Sequence, residues 1–353
     1  MTAAWEGVIG QDAAVSLLQN AAGADAVHAW LFLGPRGSGK RAAARAFAGE
    51  LLAGDLERAD DQAGADRARD LARLDQHPDV ITVERVGASI SAEQADDIVK
   101  RASRTAVEGR RKVMILDEFH LMAPNVAPKL LKTIEEPPDG TFFLVLADEL
   151  PKELVTIASR CIRVDFVPLT VAAIAAQLEA EGTDPAKAAE AASFAGGDLD
   201  RARLLTTDER LALRLAGWRD LPRRLNGSGS VAAAAVDDIR AAIDDAEAPL
   251  KARHVQEVAE VEERIERYGQ RGSGSAELDK RHKRESRRFR VDELRLGLGA
   301  LAAVYRDEMV VAADRTEALA GLDAVQEAAE GILYNPNEEL LLLALASKLP
   351  SLV

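Results

Sequence analysis

The chain has 353 residues, enough for two or three domains, and its apolar residues (47%) can fill sizeable cores although aromatics are only 4%. A formal net charge of −14 argues against DNA binding driven by the field of the whole surface, while leaving room for a local basic face. One cysteine, Cys161, excludes a disulfide framework and a multi-cysteine zinc site and fits a reducing, cytoplasmic setting; no signal pattern opens MTAAWEGVIGQ, and no run of about 18 apolar residues predicts a membrane span.

Residues 11–24 read as a helix, and AWLFL (29–33) as a strand on its length. A glycine-rich loop follows, GPRGSGKR (34–41), and then KRAAARAFAGELLA (40–53), rich in helix formers. Residues 55–78 are charged and read as an exposed helical insertion or a mobile loop. DVITV (79–83), KVMIL (112–116), FFLVLA (142–147) and CIRVDF (161–166) are four further strand candidates, with Ser91 and Gln94 spaced as a capping box ahead of a helix. Strands alternating with helices predict a mostly parallel sheet covered on both faces, an α/β class. After Pro168 the strand signals stop: 170–205 reads as a small helical bundle broken at Gly-Gly-Asp (196–198), and the rest as helix, with turns at 225–231 and 271–275.

Strand, glycine-rich loop and helix together form the context of a phosphate-binding loop. Gly34, Gly37 and Gly39 let backbone N–H groups turn inward, Lys40 brings a point charge, and the helix N-terminus adds its dipole; Pro35, Arg36 and Ser38 complete the loop. A glycine-rich turn with an incidental lysine is the bland alternative. Asp117 and Glu118, in ILDEFH (115–120), follow a strand where such enzymes hold Mg²⁺ and polarise water. Arg160, in Ser-Arg-Cys (159–161), is either a surface ion-pair partner or an arginine finger for a neighbouring subunit. The run from Lys280 to Arg290, seven Lys or Arg against one Glu, can touch phosphate but reads better as a face for partner or solvent; the Leu-rich stretch near 340–349 reads as core or interface.

With VIGQ (8–11), these motifs reach a family. HAWLFLGPRGSGK, VMILDEFHLMAPNVAPKLLKTIEEPP, FFLVLADELPKELVTIASRC and FAGGDLDRAR stand in its order. The chain resembles the clamp-loader branch of the AAA+ ATPases and, within it, the delta-prime subunits of bacterial DNA polymerase III, with a helical tail similar to actinobacterial members. The resemblance implies an AAA+ P-loop domain over 1–168, a helical lid over 169–206 and an all-α collar over 207–353. It implies a hetero-pentamer with ATPase and delta subunits that places a sliding clamp on primer-template DNA. It makes Val8 and Ile9 an adenine-side box, Arg201 a nucleotide sensor from the lid, and Arg160 a finger acting in trans.

The departures from the family pattern bear on activity. Arg41 stands where a Ser or Thr would hold Mg²⁺, and a guanidinium cannot coordinate a cation. Ala147 and Asp148 lie where hydrolysing relatives carry a Thr or Asn sensor of the γ-phosphate. Intrinsic ATP turnover is therefore expected to be absent or weak, with ATP or ADP binding left open; an ATP-hydrolysing clamp-loader motor and a stand-alone AAA+ DNA-processing motor are the alternatives. Residues 54–76 lack the four zinc-binding cysteines of many relatives, so no metal site is expected and helix packing should hold this stretch.

Overall fold

The computed structural model describes residues 5–23, 26–87, 89–123, 125–207, 209–268, 275–312, 314–332 and 336–352. They form two compact units: 1–85 with 89–206, and 86–88 with 207–353.

The first unit is built on five parallel strands: β1 (Ala29–Leu33), β2 (Val80–Val83), β3 (Lys112–Leu116), β4 (Thr141–Ala147) and β5 (Ile162–Asp165), in the spatial order β2-β3-β4-β1-β5. The inner strands are apolar because both faces are covered: β3 and β4 are buried along their whole length. Alternate residues serve opposite cores, as the two-residue period of a strand requires. Trp30, Phe32, Val113 and Ile115 join one core with α1 (Asp12–Ala21) and α2 (Lys40–Arg58), while Leu31, Met114 and Leu116 join the other with α4 (Ala92–Ala102) and α5 (Val126–Glu135). The edge strand β5 buries only Val164 and is otherwise polar or exposed, Ile-Arg-Val-Asp.

The stretch 55–78 resolves into helix. α2 runs on to Arg58, and α3 (Gln62–Arg73) packs back on it through Ala65, Ala68 and Ala72, with Arg69 Nε 2.9 Å from Glu50 Oε2. Helix–helix packing of small residues, with Gly49 close under Arg69, explains why the weak apolar pattern still folds. The capping box at Ser91 and Gln94 is present at the start of α4. A short α6 (Val155–Ala158) precedes β5, and then α7 (Val171–Ala180), α8 (Pro185–Ala195) and α9 (Leu199–Thr207) enclose their own small core, with the Gly-Gly-Asp break between α8 and α9.

The second unit is helical: α10 (Glu209–Arg224), α11 (Gly229–Tyr268), α12 (Ser275–Val311), α13 (Thr316–Gly331) and α14 (Glu338–Lys348). The expected turn at 225–231 is shorter than predicted, since α11 already begins at Gly229; that at 271–275 lies almost wholly outside the described residues. On α12, Gly297 admits the Trp218 ring so closely that an added Cβ would stand 2.0 Å from it. Tyr305 donates its hydroxyl to Pro350 O at 2.7 Å, and burial pushes that phenol's pKa up. In the Leu-rich stretch Leu342, Leu345 and Ala346 are buried and Leu340 is exposed, so the run is partly core. Among the described residues no helix is long and apolar enough to cross a membrane.

Candidate functional site

A parallel sheet gathers its loops at the carboxyl ends of its strands, where such folds bind ligands. Here β1 delivers the loop Gly34–Gly39, β3 delivers Asp117 and Glu118, and β4 delivers Asp148. The loop has no room for side chains at two glycines: a Cβ on Gly34 would stand 2.2 Å from Phe166 O, and one on Gly37 (φ +70°) 1.9 Å from Asp198 Oδ1. Gly39 is left-handed at φ +90°, which suits glycine and turns the chain into α2.

Lys40 does not project freely. Its side chain is only 7% exposed, and Nζ donates to Gly34 O (2.5 Å), Pro35 O (2.8 Å) and Asp148 Oδ1 (2.9 Å), which matches its three available protons. Asp148 donates its backbone N–H to His120 Nδ1 at 3.2 Å, which fixes Asp148 over the loop.

Arg41 Nε is ion-paired with Asp117 Oδ2. Burial works against the Arg41 charge, but Asp117, Glu118 and Glu84 outweigh it and hold the pKa above the ordinary arginine value. For Asp117 burial prevails, so its carboxyl is pushed up even with Arg41 beside it. Glu118 sits in the left-handed region (φ +48°), its N–H donating to Asp117 Oδ1 at 2.8 Å. Its carboxylate takes Arg85 Nε at 2.8 Å; burial pulls its pKa up, but the fully buried Arg85 guanidinium overcomes this and holds it low.

From the helical end of the unit, Asp198 closes on the loop. It accepts the Arg201 N–H at 2.9 Å, capping α9, and stands 3.9 Å from Arg36 Nε, while the Leu199 N–H reaches Gly37 O at 3.3 Å. Burial raises the Asp198 pKa. Arg201 is itself buried, and Ser38 Oγ is buried without a hydrogen-bond partner among the described residues. Val8 is buried and Ile9 packs partly buried against the α7–α9 core; Gln11 next to them bridges Ser38 O (3.0 Å) and Val167 O (2.7 Å). The structure thus brings every loop residue, Asp117, Glu118 and Arg201 into one neighbourhood. Arg160 stands elsewhere, at the end of α6, with Nε 2.9 Å from Glu135 Oε2 and Nη1 2.8 Å from Thr156 O.

Sequence reading missed Arg85, the bridging role of Gln11 within VIGQ, and the part played by Asp198, whose signal is an aspartate directly before a helix. A Mg²⁺ ion does not fit this arrangement: Arg41 replaces one oxygen ligand and covers the Asp117 carboxylate that would supply another. Among the described residues no group of three or more His, Cys, Asp or Glu is placed to hold a metal.

The basic run on α12 is directed at acids of this same chain. Arg281 pairs with Glu257, Lys283 with Asp279 (2.7 Å), and Arg290 with Asp244 (2.5 Å), Glu247 (2.9 Å) and Glu338 (2.6 Å). Arg281 and Lys283 remain exposed to solvent while paired, and Arg290 is partly buried. His254 and His282 stack there at 3.9 Å, each bonded to a glutamate of the other helix.

Comparison with known proteins bears on the first unit. Residues 10–170, just under half the chain, match the family described as DNA polymerase III, delta subunit. The delta-prime subunit of DNA polymerase III from Pseudomonas aeruginosa is 36% identical over 167 residues, covering 46% of this chain and 50% of that protein. Over these residues the chain is similar to delta-prime subunits of DNA polymerase III. The matched residues hold the parallel sheet, the glycine loop and the helices that cover them. The Bacillus subtilis delta-prime subunit is 30% identical over 204 residues, 56% of this chain and 60% of its own length. The tau subunit of the same organism is 34% identical over 177 residues, 49% of this chain and 31% of that protein. The matches span half to three-fifths of the delta-prime relatives.

Proposed function

We propose that this chain works as a delta-prime-type subunit of a DNA polymerase III clamp loader, without ATP turnover of its own, lending Arg160 to the ATP site of a neighbouring ATPase subunit. In this reading residues 1–168 are the AAA+ domain, 169–206 the lid and 207–353 a collar. The partners are ATPase and delta subunits in a hetero-pentamer that loads a sliding clamp on primer-template DNA in the cytoplasm.

The observation that carries the reading is the Arg41–Asp117 pair, which removes the metal site a motor needs while the delta-prime likeness extends over the same residues. Arg160 suits an external role because its hold is weak: the Glu135 pair is solvent-exposed, and such pairs are worth about 0–1 kcal/mol. Releasing the guanidinium toward a neighbour's phosphate therefore costs little. The match to a tau subunit favours, as second reading, an ATP-hydrolysing motor; Arg41 speaks against it. A stand-alone motor would assemble with its own copies, so size in solution separates it from both.

The test is ATP hydrolysis by the reconstituted assembly carrying Arg160→Ala. Loss of a finger costs about 10³–10⁵-fold in GTPase systems. A steep fall in the neighbour's turnover with assembly intact is expected; an unchanged rate would remove Arg160 from the mechanism.

A further inference from the structure

The phosphate loop, read as chemistry, has a specific defect. A loop that holds a nucleoside triphosphate must present uncompensated positive charge and open N–H groups to an anion. Here Lys40 already faces a carboxylate, Asp148, at 2.9 Å, and has given its remaining protons to Gly34 O and Pro35 O. The backbone at Gly37 is covered by Asp198, so closely that not even a methyl group would fit between them. The two acids come from opposite directions, one from the end of β4 and one from the start of α9, and both are held: Asp148 by His120, Asp198 by its cap bond to the Arg201 N–H.

We propose that Asp148 and Asp198 act as built-in anions that fill the phosphate loop, and that these two side chains, rather than the shape of the loop, exclude nucleoside triphosphate. The loop itself keeps its glycines, its lysine and its helix. What differs is that the acceptor is supplied by the chain. Lys40 is satisfied by a carboxylate that an incoming γ- or β-phosphate would have to displace, and Asp198 blocks approach over Gly37. The claim concerns this chain alone and does not depend on its place in an assembly.

The proposal makes binding recoverable. Asp148→Asn keeps an acceptor for Lys40 and removes the charge. Asp198→Ser keeps a capping oxygen for α9 while removing charge and bulk. A like charge at contact distance, in surroundings between water and protein interior, is worth roughly one to three powers of ten in affinity.

The experiment is equilibrium dialysis of ATP against the full-length chain, with and without Mg²⁺, for the wild type, each single variant, the double variant, and the double variant with Lys40→Ala. Helical circular dichroism confirms that each is folded, and the single variants carry the test if the double one does not fold. The expected result is affinity for metal-free ATP at least about tenfold above wild type in the double variant, a smaller gain in each single one, and loss of the gain with Lys40→Ala. Equal affinity in wild type and variants, whether tight or undetectable, overturns the proposal, as does a gain that survives Lys40→Ala. The Arg160 experiment reads a neighbour's turnover, so failure of one does not imply failure of the other.

Discussion

Lys40 Nζ and Asp148 Oδ1 lie 2.9 Å apart, a pair formed between residues 108 positions apart in the chain. The same pattern recurs around it: Arg41 meets Asp117, and Arg85 meets Glu118. Lys40, Arg41, Asp117 and Glu118 are thus each matched with a partner from this chain. A site so neutralised is suited to holding its own shape.

Lys40 should therefore matter for stability. In a site kept open for phosphate, removing the lysine relieves a local excess of charge. Here Lys40→Met deprives Asp148 and two carbonyls of their donor, and a loss of about 1–3 kcal/mol is expected in urea denaturation.

Arg290 is the corresponding hub of the helical unit, tying α12 to Asp244 and Glu247 on α11 and to Glu338 on α14. Glu247 is 2% exposed but keeps Lys251 at 3.0 Å. Arg290→Ala should cost about 3 kcal/mol, the lower end for breaking a buried pair, read as a shift of the denaturation midpoint.

These pairs also set a response to acid. Arg290, followed by Lys251, holds the Asp244 carboxyl low. Burial opposes the charge of Glu247, but Arg290 and Lys251 outweigh it; for Glu285, His254, Arg253 and Arg281 do the same. A carboxylate held lower in the fold than in the unfolded chain contributes stability that is complete above the unfolded value, about 4, and is lost as pH falls through the folded value. The melting temperature of the helical unit should thus fall below about pH 4, and less steeply in Arg290→Ala, where Asp244 and Glu247 have lost that partner.

Gly297 tests the packing between α10 and α12. With Trp218 in the place a Cβ would need, Gly297→Ala should cost about 1–3 kcal/mol and redden the emission of the tryptophan as its ring is displaced.

The sheet was legible because its signals are local. AWLFL and KVMIL are bounded apolar runs, and both proved to be strands at the residues expected. The loop was legible from the spacing of Gly34, Gly37, Gly39 and Lys40, and the substitution at Arg41 from the residue itself. What could not be read is which acid meets which base. Asp148 reads in the sequence only as a replaced γ-phosphate sensor, and its partner Lys40 is not legible there because the parallel pairing of β1 with β4 brings the two together. Arg85 shows no pattern in sequence, and Glu257, Asp244, Glu247 and Glu338, which meet Arg281 and Arg290, come from α11 and α14, whose packing is tertiary. The lengths of α2 and α3 were obscured because alanine packing carries a weak periodicity.

The central claim is that this chain does not turn over ATP. The most direct measurement is Mg²⁺-dependent hydrolysis by the purified chain beside Lys40→Ala. The account predicts no turnover above background, identical in the two proteins. Turnover that disappears with Lys40→Ala would contradict it and would mean that Arg41 yields Asp117 to a metal ion.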